Sequence, residues 1–157
     1  MRFVTVSSQF FALCSDDPEI LQKDNRRPHV LVVSLQYKGR RMDFAVPMRS
    51  NIPPAAPKQE YFALPPRPST KPRHHHGLHY IKMFPISKQY QEKFWVGNNP
   101  SYVRFQQIID KNMKQIVSEC QAYLDRYAAG DRPNYAVDID NVIEKIELFF
   151  VPDSGTS

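Results

Sequence analysis

A chain of 157 residues that is 41% hydrophobic and 12% aromatic has the length and apolar content for one folded domain, which excludes a disordered polymer. Its longest apolar runs, Val30 to Val33 and Phe149 to Val151, fall far short of the roughly 20 residues that cross a bilayer, which excludes a transmembrane helix. The net charge of +5 is uneven: residues 1–83 hold 13 Lys and Arg against 6 Asp and Glu, and residues 84–157 hold 8 against 10. A basic first half points to a polyanionic partner, and to nucleic acid ahead of a membrane surface because no basic amphipathic helix accompanies it. The first residues show no signal-peptide pattern. Cys14 and Cys120 lack metal-like spacing and read as packed, reduced thiols, so a cytoplasmic location is expected.

Arg2 to Ser7 alternates, with Phe3, Thr5 and Ser7 on one side and Val4 and Val6 on the other, and reads as a strand. Ser7-Ser8 can cap a short helix through Leu13. Ser15 to Pro28 is polar, with Asp-Pro and Arg-Pro steps, and reads as loop. His29 to Tyr37 is apolar on both faces around Val30-Leu31-Val32-Val33, which predicts a central strand. Lys38-Gly39-Arg40 predicts a hairpin turn with Gly39 at positive φ. Arg41 to Val46 returns as the partner strand, Pro47 is expected to stop the ladder, and Arg49-Ser50-Asn51 follows at the strand end.

Residues 53–73 carry seven prolines and, with the histidines that follow, form a Pro/His-rich segment over 53–76. A loop of this kind is functional or mobile, holds its cations Lys58, Arg67, Lys71 and Arg73 exposed, and is expected to order on binding RNA. Within and after it, Tyr61 to Leu64, Tyr80 to Ile86 and Phe94 to Val96 are strand candidates. Asn99-Pro100 starts a helix whose stripe Phe105, Ile109, Met113, Ile116, Val117, Cys120, Leu124 and Tyr127 predicts one long core-facing helix ended by Gly130. Asp138 caps a last helix with Ile139, Val142, Ile143, Ile146 and Phe149 inward, and the tail Pro152 to Ser157 should fray.

Three sets of residues carry chemistry. Arg49, Ser50 and Asn51 combine a cation, a hydroxyl and an amide at one strand end, which suits a phosphate; on residues alone the triplet reads equally as a turn. His79 can exchange protons near neutral pH, but Lys82 three residues on faces away from it on an ideal strand, unless the strand starts after His79 or a bulge intervenes. His74, His75, His76 and His79 have chelating spacing, yet no Asp, Glu or Cys is near, and the run reads as a polar segment with no metal or cofactor. Arg26, Arg27, Lys38, Arg40 and Arg41 form a candidate phosphate-binding rim around the central hairpin. Tyr61, Phe62, Tyr80 and Trp95 can stack bases, although most such rings belong to the core.

The order of these motifs resembles the ToxN/AbiQ superfamily, the endoribonuclease toxins of type III toxin–antitoxin systems. The matching pieces are Phe3-Val4-Thr5-Val6-Ser7-Ser8-Gln9-Phe10, Arg27-Pro28-His29-Val30-Leu31-Val32, the Lys38-Gly39 hairpin, Val46-Pro47-Met48-Arg49-Ser50-Asn51-Ile52 and Gly77-Leu78-His79-Tyr80-Ile81-Lys82. The Arg-Ser-Asn form resembles the TenpN-like branch. The resemblance covers about residues 1–130 and implies an α+β fold: an SH3-like antiparallel barrel similar to the MazF/Kid toxins, with one long and one or two shorter packed helices. It implies metal-independent RNA cleavage to a 2′,3′-cyclic phosphate and a 5′-hydroxyl, on cellular or phage RNA. It further implies inhibition by a small repeated, pseudoknot-like RNA antitoxin that the toxin processes and joins in a closed complex. In the ToxN branch the corresponding turn carries Thr-Ser with a Lys soon after; here no Lys appears until Lys58, so the charge moves to Arg49. An acidic residue is common in the branch where His79 stands. The catalytic residues expected from this reading are Arg49, Ser50, Lys82 and His79. Those expected to bind RNA are Arg26, Arg27, Lys38, Arg40, Arg41, Asn51, Lys58, Lys71 and Arg73.

Overall fold

The structure is a computed structural model that describes residues 3–20, 30–93 and 99–149. The expectations for Arg26 and Arg27, for the strand around Trp95 and for the tail from Pro152 lie outside the described residues. The described residues form seven strands and four α-helices. In chain order they are β1 (Phe3–Val6), α1 (Ser8–Leu13), β2 (Val30–Tyr37), β3 (Arg40–Ile52), β4 (Tyr61–Leu64), β5 (His75–His79), β6 (Phe84–Pro85), β7 (Gln91–Lys93), α2 (Pro100–Lys111), α3 (Met113–Ala128) and α4 (Ile139–Leu148).

All strand pairs are antiparallel, in the order β4-β5-β3-β2-β1-β7, with β6 on the edge of β3. The α+β class is as expected. The closed SH3-like barrel is not: among the described residues β4 and β7 end the sheet and do not pair with each other. β2 is central, with Leu31, Val33, Leu35 and Tyr37 buried on one face and Val32 packed on the other. Two cores result. One lies beneath α2 and α3; the other joins α1, α4, Ala45 and Phe84. The alternation read in β1 places Phe3 in the first and Val4 and Val6 in the second. Both cysteines are free and buried. No helix among the described residues is long and apolar enough to cross a membrane.

The β2–β3 hairpin turns on two residues, Lys38 at φ 49 and Gly39 at φ 79, and Arg40 already pairs with Tyr37. Two consecutive positive φ values match the twist of the flanking strands. Pro47 does not stop β3. It sits on the last rung shared with β2, opposite Val30, and β5 becomes the partner from Met48 onward. A missing N–H matters little where one ladder ends and another begins.

The Pro/His-rich segment is built into the sheet through β4 and the β5 residues His75 and His76, rather than being a free loop. Tyr80 to Ile86 is not one strand. A 3-10 turn over Tyr80–Lys82, closed by Met83 N–H donating to the Tyr80 carbonyl at 3.0 Å, precedes the two-residue β6.

The expected long helix is two. At Asn112 the backbone N–H bonds to the carbonyl of Ile109 at 3.0 Å, and the side-chain amide takes the Ile108 carbonyl at 2.7 Å. The amide thus replaces the backbone donor of a continuous helix, and the α-helix is interrupted there. The predicted stripe still faces the core, joined by Tyr102 and Tyr123. Asn99 caps α2 through Ser101 and Tyr102, and Asp138 caps α4 through Asn141. Ser7 occupies the cap position of α1, but its side chain makes no capping bond. Gly130, at φ 100, closes α3 with Gly130 N–H on Tyr127 and Asp131 N–H on Arg126. Phe149, expected inward, is 60% exposed just past the end of α4.

Candidate functional site

The second half of β3 makes the site. Arg49 pairs with Gly77 and Ile52 with His75, so Ser50 and Asn51 together oppose the single residue His76. This is a bulge: one extra residue locally re-aims the strand. Met48, Phe62, Leu64 and Leu78 turn one face of the β3–β5–β4 ribbon to the core. The pleat therefore assigns Arg49, Gly77, Ala63, His79 and Tyr61 to the other face. Gly77 permits the close approach, because a Cβ there would lie 2.0 Å from the Phe62 carbonyl oxygen.

On that face Arg49 Nη1 lies 3.4 Å from His79 Nδ1. A guanidinium only donates, so Nδ1 accepts and the ring's proton resides on Nε2. His79 is 1% exposed, and its Nε2 has no hydrogen-bond partner among the described residues. Burial, then the charges of Arg49 and Lys82, push its pKa down to about 3. The ring is therefore neutral at physiological pH.

Lys82 lies near enough for its charge to act on His79, because β5 ends at His79 and the chain enters a 3-10 turn. The break removes the strand alternation that would have separated the two side chains. The Lys82 ammonium is buried, donating to Glu19 Oε2 at 2.5 Å and to the Tyr135 carbonyl at 2.9 Å. Two of its three donors are thus committed. Ser50 is half-buried on the bulge. Asn51 accepts the backbone N–H of Lys71 at 2.8 Å, which pins the Pro-rich segment to β3. Lys58, Lys71 and Arg73 are exposed, the last at φ 66.

The hairpin cations lie elsewhere. Arg40 is nine residues before Arg49 on the same strand, about 30 Å if fully extended. It pairs with Glu147 at 2.6 Å, Lys38 pairs with Asp140 at 3.0 Å, and Arg41 donates to Ser34 at 3.3 Å. The structure does not bring these three together with Arg49. The histidine run also disperses. His74 bonds to the Pro72 carbonyl, His75 stacks on Tyr61 at 5.0 Å, and His76 bonds to the Pro65 carbonyl and packs on Phe105. No group of three His, Cys, Asp or Glu among the described residues is arranged to hold a metal ion. Of the aromatics, Tyr80 is wholly buried and donates to Glu119 at 2.7 Å, Phe62 packs on the core, and Trp95 is outside the described residues.

Sequence reasoning missed Glu19 and Tyr135. Glu19 sits in the segment read as loop and Tyr135 between the two predicted helices, and neither carries a local signal that it meets Lys82, which lies 63 residues from the one and 53 from the other.

No protein-family model and no curated protein sequence matches the chain. Solved structures do. One is a protein of a bacterial antiviral system regulated by a processed non-coding RNA, at TM-score 0.70 and 17% identity over 96% of this chain and 100% of that one. A second is AbiQ, a lactococcal anti-phage endoribonuclease of the type III toxin–antitoxin system, at TM-score 0.69 and 14% identity over 94% and 96%. A third belongs to a bacterial type III system whose toxin is inhibited by a non-coding RNA pseudoknot, at 0.66 and 15% over 94% and 96%. The chain shares their fold over nearly its whole length.

Proposed function

We propose that this chain is an endoribonuclease toxin of a type III toxin–antitoxin system. The observation that carries the reading is the contact between Arg49 and the buried, uncharged His79 on a bulged strand, within a fold shared with type III endoribonucleases. In the proposed reaction the 2′-oxygen of the RNA attacks the adjacent phosphorus and the bond to the 5′-oxygen breaks. The proton lost by the 2′-hydroxyl is matched by one gained by the departing 5′-oxygen, so the products are a 2′,3′-cyclic phosphate and a 5′-hydroxyl, and the scheme needs no metal. Arg49 faces the negative charge that builds on the phosphorane. Ser50 orients the scissile phosphate. Burial is the first cause of the depressed His79 pKa; RNA entering beside Arg49 offsets the second, the cations, and takes up the donor now spent on Nδ1, so that Nδ1 can accept the 2′-proton. Lys82 contributes charge. Lys58, Lys71 and Arg73, with Arg26 and Arg27, hold flanking phosphates.

The regulating partner in this reading is a small repeated RNA that folds as a pseudoknot, is cut by the toxin and closes with it into one complex. The deciding experiment incubates the purified protein with cellular RNA in EDTA and maps the product ends. The proposal expects 5′-hydroxyl ends, lost in Arg49→Ala. No cleavage by the wild type, or undiminished cleavage by Arg49→Ala, refutes it. RNA binding without such ends would instead identify a non-catalytic RNA-binding module. Short tandem repeats followed by a terminator in the DNA just upstream would supply the antitoxin.

A further inference from the structure

Six of the eight tyrosines, Tyr37, Tyr80, Tyr90, Tyr102, Tyr123 and Tyr127, are buried, and Tyr61 is half-buried against His75. Tyr135 is 73% exposed. It also has a φ of 69, a left-handed backbone that residues with a Cβ avoid. A turn closed by Ala136 N–H on the Pro133 carbonyl at 3.3 Å accounts for that backbone and holds the ring out in water.

The backbone around it is anchored. The Tyr135 carbonyl accepts from Lys82 Nζ at 2.9 Å, Val137 N–H donates to the Ile81 carbonyl at 3.2 Å, and Asp138 N–H donates to Asp17 at 3.0 Å. The turn between α3 and α4 is therefore stapled to the residues that follow β5, and the Tyr135 backbone sits against Lys82, whose charge acts on His79. A fixed backbone, an exposed aromatic ring and nearby cations are the elements that grip single-stranded nucleic acid: the cations hold phosphate and the ring takes a base.

We infer that Tyr135 is a stacking platform for an unpaired nucleobase next to the phosphate held by Arg49. The inference rests on the proposed RNA substrate. Its ligand is the flat face of a base rather than a base edge, so it tolerates different sequences and favours purines, which offer the larger stacking surface.

The test is fluorescence anisotropy with a labelled short oligoadenylate whose 2′-hydroxyls are methylated, so that it binds without being cut. Tyr135→Ala should weaken binding about 10-fold, while Tyr135→Phe and Tyr135→Trp stay near wild type. The dependence of affinity on salt should be unchanged in Tyr135→Ala and reduced in Arg49→Ala, because stacking releases no counterions. Wild-type affinity in Tyr135→Ala, or a salt slope that falls as it does in Arg49→Ala, overturns the inference while leaving the proposed function intact. Absence of binding by the wild type overturns both. Because the ring is exposed, Tyr135→Ala should unfold near the wild-type temperature, which separates lost binding from lost fold.

Discussion

Arg49 and His79 meet across β3 and β5, with Nη1 3.4 Å from Nδ1, and the histidine is almost sealed from solvent. A cation donating to a buried imidazole opposes a second proton on that ring. The bulge aims Arg49, the end of β5 aims His79, and Gly77 lets β4 close over the ladder beside them. The pair is thus a product of backbone geometry on three strands.

Arg49 is expected to matter through charge developed in the reaction. Arg49→Ala should lower the cleavage rate by about 10²- to 10³-fold, the usual loss for one oxyanion-stabilising donor. Circular dichroism and melting should stay close to wild type, because Arg49 is only half-buried. Single-turnover cleavage of a defined RNA measures it; a fall of less than about threefold would count against the assignment.

His79 makes stability depend on pH. Its pKa is about 3 in the fold against 6.5 ordinarily. Between these values the unfolded chain holds the extra proton, so the contribution is fully present above about pH 6.5 and is lost as the pH falls toward about 3. Burial lowers His76 as well and acts in the same direction. Asp16 and Asp140, whose carboxyls are also lowered, add their loss only at more acid pH. Urea midpoints should be lower at about pH 5 than at about pH 7, and His79→Gln should narrow the difference. A difference unchanged in that variant would show that the titration belongs elsewhere.

Lys82 and Glu19 form the most buried ion pair among the described residues, with side chains 7% and 25% exposed. Glu19→Gln leaves the ammonium buried without its carboxylate and should destabilise by about 2–3 kcal/mol, the lower side of the range because Glu19 reaches solvent. Lys82→Met removes the charge and keeps the volume, so it should cost less stability and more activity. Chemical denaturation alongside cleavage rates separates the two; equal stability losses would contradict the account.

Gly77→Ala should be among the most damaging small substitutions. The new methyl meets the Phe62 carbonyl oxygen at 2.0 Å, and only separation of β4 from β5 relieves it. A loss of more than about 2 kcal/mol is expected in equilibrium unfolding. Wild-type stability would mean that the strands part without cost.

The cations divide by position. Lys71→Ala and Arg73→Ala should each reduce the salt dependence of RNA binding by about one counterion. Lys38→Ala and Arg40→Ala should leave it unchanged, since both are paired to α4 at the far end of β3. Binding titrations across a salt series decide this, and a changed slope in Arg40→Ala would extend the interface to the hairpin.

Features governed by near neighbours were legible without the structure. The Lys38-Gly39 turn, the Asn99 and Asp138 caps, the Gly130 stop and the inward stripe of α2 and α3 all depend on residues within about one turn of each other. The break at Asn112 was hidden because its side-chain amide substitutes for the backbone donor while the apolar period continues. Pro47 and the histidine run were misread for another reason. Whether a proline ends a strand depends here on the partner offered by β5, and whether the histidine run becomes a strand depends on β3 and β4.

The sequence by itself therefore determined the α+β class, the central hairpin, the basic first half and the candidates Arg49, Ser50, His79 and Lys82. Only the tertiary structure decided which of them meet. Arg49 meets His79 across β3 and β5, the turn after His79 leaves Lys82 where its charge reaches that ring, and Lys38 and Arg40 pair with α4. Strand alternation alone would have placed His79 and Lys82 on opposite faces, and that rule ends where β5 does.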